Sequence, residues 1–366
     1  MGHVLIVSNC AWNIFHFRKP ILDGLLRSGR KVTVSAARDG YETLLVEQGV
    51  AFEPLEFSAS GKNPFEDALL AVRLRRIIRK AKPDAVLTFT IKPNIYGSLA
   101  AALSGTPAYP TVSGLGSAFL SGGILPKITK FLFRIALKGA RLVFFQNEDD
   151  RELFHREKLV ELEKTRLVAG SGIDLDAFKA ASLPTSKPFT FLQIGRILAD
   201  KGVRELVEAT RILRAEGKTC RVLLLGEIGS DNPSAIPASE VRKWIDEGLV
   251  EHVPPVNDVR PIIAQAHTLI LPSYREGLPR SLLEGAAMAR PLLASEVPGC
   301  RDLVSDGVNG FLCQARSSRS LADAMARMID LSRDDLVRMG TKSRALAERK
   351  YDQSLVTEAY LREMPA

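Results

Sequence analysis

The chain has 366 residues, 46% hydrophobic and 25% charged, which supplies apolar cores, excludes global disorder and points to two domains of roughly 150 residues. The net charge of +8 is uneven: 25 Lys+Arg face 18 Asp+Glu up to Ala180, against 25 and 24 beyond it. Four scattered cysteines, Cys10, Cys220, Cys300 and Cys313, argue against a zinc module or disulfide scaffold and fit a reducing cytoplasm.

The opening run His3–Val7 is too short for a signal peptide and leads straight into Ser8-Asn9, so it reads as a first strand. Further apolar, β-branched runs follow at Val32–Ala36, Ala85–Thr90 and Leu142–Gln146, then at Phe189–Ile194, Arg221–Leu225, Thr268–Leu271 and Pro291–Ala294. Segments of helical period lie between them, at Phe65–Ala81, Val203–Ala215, Glu240–Glu247 and Ser281–Ala289. Strand and helix in alternation predict α/β parallel sheets covered on both faces. The series restarts at Phe189 after a Pro- and Ser-rich stretch, which predicts two Rossmann-like domains facing across a cleft. The expected boundaries are 1–169, a crossover and linker at 170–188, 189–345, and a C-terminal helix at 346–366 that returns to the first domain. Neither half shows G-x-G-x-x-G after its first strand, which counts against a dinucleotide-dependent oxidoreductase.

Ligands of open α/β sheets collect at the carboxyl ends of strands. Three loops there stand out in the first half: Asn13–Arg18, Thr88–Asn94 and Ser113–Phe119. They offer Asn13, His16, Arg18, Lys92, Gly114 and Gly116 as ligand contacts, which the resemblance named below implies are made to an acceptor, with Lys92 beside Gly/Ser-rich loops able to bind a diphosphate. A structural loop histidine and a surface lysine are the plain alternatives for His16 and Lys92. No acidic residue occurs between Asp84 and Glu148. Within that stretch, the segment from Pro126 places Lys127, Lys130, Arg134, Lys138 and Arg141 at helical spacing, with Ile128, Phe131, Leu132 and Ile135 opposite and Phe133 and Leu137 flanking. A basic amphipathic helix of this kind rests on an anionic leaflet, or else packs its apolar side on the sheet. The uncharged span Pro93–Pro126 is too broken by Gly and Pro to cross a membrane.

In the second half, Gly195-Arg196 and Lys201-Gly202 lie on a strand-to-helix loop, where two cations can grip a diphosphate or simply face solvent. Arg275-Glu276-Gly277-Leu278-Pro279-Arg280-Ser281-Leu282-Leu283-Glu284 carries two carboxylates, one before a helix and one along it. A carboxylate accepts bonds from vicinal hydroxyls, so one would hold a sugar and the other a ribose; a dipole partner and a surface residue are the alternatives.

These motifs resemble the donor site of retaining GT-B glycosyltransferases of family four. Gly170–Asp174, Val297–Cys300 and Asp306–Phe311 extend the resemblance over essentially the whole chain. It implies a UDP-sugar donor, held by Gly195, Arg196, Lys201, Glu276, Gly277, Leu278 and Glu284, with Glu276, Arg196 and Lys201 carrying catalysis. No metal is implied: Asp174-Leu175-Asp176 has the D-x-D form, but the family's Gly-x-Asp element already accounts for Asp174. The N-terminal loops, together with Asn232-Pro233 and Trp244, resemble a branch that adds N-acetylhexosamine or related sugars to polyprenyl-diphosphate-linked acceptors in bacterial surface-glycan assembly. That implies peripheral residence on the inner face of the cytoplasmic membrane, with Lys127, Lys130, Arg134 and Lys138 at the lipid. Val253-Pro254-Pro255-Val256 stands where many relatives have a glycine-containing loop near the base. Two rival readings are a nucleotide-sugar epimerase of similar fold and a basic nucleic-acid-binding protein. The second leaves the glutamate block unexplained, and no nucleic-acid partner is expected.

Overall fold

The computed structural model describes residues 2–58, 63–115 and 124–365. The chain forms two compact units, residues 1–172 with 353–366, and residues 173–352.

The first unit is built on a seven-stranded, wholly parallel sheet in the order β3-β2-β1-β4-β5-β6-β7. Its strands are β1 (His3–Cys10), β2 (Lys31–Ala37), β3 (Ala51–Pro54), β4 (Ala85–Phe89), β5 (Ala108–Val112), β6 (Val143–Phe145) and β7 (Thr165–Leu167). Because alternate strand residues point to opposite faces, β1 feeds two cores. Leu5 and Val7 join the cluster under the helices Pro64–Ala81 and Leu125–Lys138, while Val4 and Ile6 pack with Ile21, Leu22 and Leu25 on the other face. Sequence periodicity misses β5. Pro110 lacks a backbone N–H and argues against a central strand, yet β6 pairs only with Thr111 and Val112, leaving Pro110 outside that pairing.

The second unit holds a six-stranded parallel sheet, β10-β9-β8-β11-β12-β13. It comprises β8 (Phe189–Ile194), β9 (Cys220–Leu225), β10 (Glu251–Val253), β11 (Thr268–Leu271), β12 (Leu292–Ser295) and β13 (Gly310–Cys313). In both sheets the chain returns to the middle and turns outward, so the order reverses between β1 and β4 and between β8 and β11.

Two expected boundaries need correction. The stretch 173–188 is not a free linker, because arginines of the second unit hold its carbonyls. Arg344 donates to the oxygens of Phe178 (2.6 Å) and Leu175 (3.4 Å), Arg260 to Ala177 (3.0 Å), Arg290 to Ser182 (2.9 Å), and Arg333 to Leu183 (2.8 Å) and Pro184 (2.9 Å). An irregular segment cannot satisfy its own carbonyls, and these side chains do so instead. Arg290 is fully buried, and desolvation pulls its pKa down to about 10. At the other end, the helix Arg333–Lys350 stays in the second unit, so the returning segment starts at Gln353 rather than 346. The helix Gln353–Glu363 packs on Lys19–Arg27 at Gly24, where a Cβ would collide with Thr357, and its buried Tyr360 hydroxyl meets Thr111 Oγ1 at 3.0 Å.

Candidate functional site

The predicted donor residues gather at the carboxyl ends of β8 and β11, neighbouring strands at the reversal of the second sheet. After β8 the backbone passes Gly195 and the exposed Arg196, makes a short turn over Ala199–Lys201 and enters the helix Val203–Ala215 through Gly202. Gly202 is left-handed, at φ 70°, and a Cβ there would strike the carbonyl of Pro272 in the loop after β11. The two loops are therefore pressed backbone to backbone. Tyr274 N–H donates to the Asp200 carbonyl at 2.9 Å, and Ser273 Oγ reaches the same oxygen at 3.3 Å.

This contact brings together residues 75 positions apart: Lys201 Nζ lies 2.5 Å from Glu276 Oε1. Ser273 Oγ donates to the same oxygen at 2.5 Å. Both charged groups are mostly buried, but an ammonium has three donors and a carboxylate four lone-pair positions, so each keeps capacity beyond this pair. Behind Glu276, its N–H faces the Pro298 carbonyl at 3.4 Å, and Gly299 (φ 78°) lies so close to the Glu276 and Gly277 carbonyls that no side chain fits. Cys300 is wholly buried; burial, reinforced by the Glu276 charge, keeps its thiol protonated well above the ordinary range.

The helix Arg280–Ala287 follows, with Pro279 at its start and no side-chain cap among the described residues. Its first N–H groups and positive dipole end therefore face the loop that holds Gly277 and Leu278. Glu284, along the helix, is bound by Arg280 at 3.0 Å; burial raises its pKa and Arg280 opposes the rise. Arg196 makes no hydrogen bond or ion pair among the described residues and remains an exposed cation on the β8 loop. The sequence motifs give Ser273 and Tyr274 no role, whereas Gly299 falls within the Val297–Cys300 element that carries the resemblance. Tyr274 donates to Glu205 at 2.6 Å beneath the Arg316 guanidinium, and burial pushes its phenol up to about 12. Asp174 Oδ1 accepts the N–H groups of Asp176 and Ala177, a turn-forming role.

In the first unit the expected acceptor residues divide. Asn13 and His16 lie on a helix, Ala11–Phe17, rather than in a loop, because apolar Ala11 and Ile14 are buried one helical turn apart. Arg18 is not an accessible contact: it is 4% exposed, and its guanidinium sits over the Phe89 ring at 4.5 Å. Lys92 is not a lone cation either, since Asp67 holds it at 2.7 Å and Tyr96 donates to the other Asp67 oxygen at 2.9 Å. Its neighbour Thr90 has φ 74°, and a π-helical turn over Pro93–Gly97 fixes the segment through Asn94, bonded to Thr88 and the Thr111 carbonyl. Gly114 follows β5 at φ 123°, whereas Gly116 lies outside the described residues.

The basic helix Leu125–Lys138 buries Thr129, Phe133, Ala136 and Leu137, so the residues read as flanking are the ones that pack. Ile124, Ile128, Phe131 and Ile135 point outward, 71%, 47%, 56% and 46% exposed. Lys127 and Lys138 are exposed beside them. Lys130 instead pairs with Glu157 at 2.8 Å, and Arg134 donates to the carbonyls of Glu157 and Lys158, so these two serve the fold. Among the described residues no helix is long and apolar enough to cross a membrane, and no group of three acidic, His or Cys side chains is placed to hold a metal.

Residues 188–330 match the family described as glycosyl transferases group 1, and residues 3–147 match the glycosyl transferase 4-like family. The chain is 26% identical to the N,N'-diacetylbacillosaminyl-diphospho-undecaprenol alpha-1,3-N-acetylgalactosaminyltransferase of Campylobacter jejuni, covering 97% of this chain and 96% of that one. It is 25% identical to the UDP-Gal:alpha-D-GlcNAc-diphosphoundecaprenol alpha-1,3-galactosyltransferase of Escherichia coli, over 72% and 71% of the two chains. Among solved structures it resembles Anabaena Alr3699/HepE in complex with UDP, with a TM-score of 0.78, 17% identity and 98% of both chains covered, a likeness that establishes the shared GT-B fold.

Proposed function

We propose that this chain, whose residues 188–330 match the group 1 glycosyl transferases and whose residues 3–147 match the glycosyl transferase 4-like family, moves a sugar from a UDP-sugar to a saccharide carried on polyprenyl diphosphate, with retention at the anomeric carbon. The observation that carries this reading is the meeting of Lys201 and Glu276 at the carboxyl ends of β8 and β11. Arg196 and Lys201 bind the diphosphate, Glu276 takes hydroxyls of the donor sugar and Glu284 those of the ribose. The bond between the anomeric carbon and the phosphate oxygen breaks, with its electron pair left on UDP. The acceptor hydroxyl bonds to that carbon on the same face and gives its proton to the departing phosphate. Fixed cations already in place stabilise the charge that develops there, and no step requires a metal.

The test is transfer from a panel of radiolabelled nucleotide sugars to GlcNAc-diphospho-undecaprenol and diacetylbacillosamine-diphospho-undecaprenol, with and without EDTA. The expected result is a lipid-extractable product from one UDP-sugar, undiminished by EDTA. Conversion of the donor in the absence of acceptor would identify an epimerase instead, and loss of activity with EDTA would overturn the two-cation account.

Such an acceptor lies in the bilayer, so the enzyme works at its cytoplasmic surface. The outward Ile124, Ile128, Phe131 and Ile135, with Lys127 and Lys138 beside them, suit a helix resting in an anionic headgroup layer. The protein is expected to co-sediment with anionic vesicles and far less with neutral ones. Phe131→Asp should weaken that binding, and equal binding to both kinds of vesicle would sink the assignment.

A further inference from the structure

Around His16, already an expected acceptor contact, the carboxyl end of β1 gathers an aromatic cluster whose other members, Trp12, Phe15 and Tyr41, have no part in the chemistry described so far. Trp12 and His16, on the helix Ala11–Phe17, stack with ring centroids 4.7 Å apart and planes inclined by 27°. Tyr41, from the loop after β2, meets the His16 ring edge-on at 4.9 Å, and Phe15 lies 5.4 Å from Tyr41. Trp12 is 40% exposed, a large aromatic surface left open to solvent where a core residue would be covered.

The cluster is held from both sides. Asp39 accepts the backbone N–H of Trp12 at 2.7 Å through one oxygen and that of Tyr41 at 3.2 Å through the other. Asp39 thereby closes its own loop after β2 and ties it to the first turn of the helix that follows β1, and Glu42 braces that loop by accepting the N–H groups of Asp39 and Gly40. The rings are consequently set in place before any ligand arrives, which lowers the ordering cost of binding. They lie beside the point where the first sheet reverses, between β1 and β4, where open α/β sheets take their ligands.

We propose that Trp12, supported by His16 and Tyr41, is a stacking platform for the acceptor's saccharide, the pyranose ring lying with its C–H face on the indole. This rests on the lipid-linked saccharide acceptor proposed above. A sugar ring has one face rich in axial C–H bonds, weakly positive at hydrogen, and the indole face is negative, so the two attract while both are desolvated. The Asn13 amide, on the same helix, can bond a ring hydroxyl. Anionic lipid is disfavoured as the occupant because Asp39 and Glu42 place negative charge at the platform's edge.

The chain's two tryptophans make the test direct, because Trp244, the other one, is only 5% exposed. GlcNAc-diphospho-undecaprenol and diacetylbacillosamine-diphospho-undecaprenol in detergent micelles are titrated into the full-length protein while tryptophan emission is followed. The expected result is a saturable change with at least one of these lipids that undecaprenyl diphosphate alone and anionic vesicles alone do not produce. Trp12→Ala should abolish the change and raise the acceptor KM about tenfold, leaving the donor KM in place; Trp12→Phe, which keeps a ring, should recover most of the affinity. An equal response to the sugar-free lipid or to vesicles overturns the platform in favour of a lipid contact. Transfer by Trp12→Ala with an unaltered acceptor KM also overturns it. Failure of the wild-type protein to glycosylate either lipid with any UDP-sugar overturns the acceptor reading itself, an outcome distinct from both.

Discussion

Replacing Glu276 with alanine is expected to lower kcat by about a thousandfold while the far-ultraviolet circular dichroism stays unchanged. The carboxylate sits in the loop after β11 and belongs to none of the apolar cores, so the sheets are expected to form without it. Its loss removes the acceptor for donor-sugar hydroxyls and releases Lys201 and Ser273, both bonded to Oε1, from their set positions. A sugar held loosely, beside a cation free to wander, spends little time in reactive alignment. Glu276→Gln keeps an oxygen acceptor but removes the countercharge from Lys201, and should fall between alanine and wild type. Near-normal turnover in Glu276→Ala would take this residue out of the site.

Lys201→Met is expected to cost about a hundredfold in kcat and to weaken inhibition by UDP about tenfold, because a fixed cation at the leaving group is lost. Methionine preserves much of the lysine stem, and Gln193, which donates to the Lys201 backbone carbonyl at 3.3 Å, still holds the turn. The double variant with Glu276→Ala should lose less than the two single losses combined, since the side chains touch and each already disturbs the other. UDP inhibition that Lys201→Met leaves unchanged would show that this ammonium does not meet the diphosphate.

Strand and helix positions of the second unit were largely legible from pattern. The Phe189–Ile194 and Thr268–Leu271 runs are β8 and β11, and Val203–Ala215 is a helix at the stated limits. Fully buried parallel strands must be apolar throughout, which makes them conspicuous. Five short strands were not legible. Of these, β7 and β10 are only three residues each, too short for alternation to register, and β5 contains Pro110. The helix Leu125–Lys138 shows the limit of periodicity. Its apolar and basic positions were evident, but Phe133 and Leu137 face the sheet whereas Ile128, Phe131 and Ile135 face outward. A stripe of Ile and Phe nearly surrounds this helix, and only packing against neighbouring elements selects the buried side.

Charge followed the same division. Arg18 and Lys92 were legible as cations in loops after strands and Lys130 as one of a basic helix, but their partners, the Phe89 ring, Asp67 and Glu157, are distant in sequence. Likewise the stretch 173–188 has a linker's composition and is nonetheless bound by arginines drawn from 260, 290, 333 and 344.

By itself, then, the order of residues determined the alternating α/β architecture, the division into two sheets and the residue types available for a diphosphate and a sugar, because each of these is a local pattern. Which of those groups meet was decided only in three dimensions. Lys201 and Glu276 touch because β8 and β11 lie side by side, and Trp12 and Tyr41 are joined because one Asp39 carboxylate accepts from both. Hydrogen bonds and ion pairs act over a few ångströms of space, and separation along the chain says little about that distance until the sheets have formed.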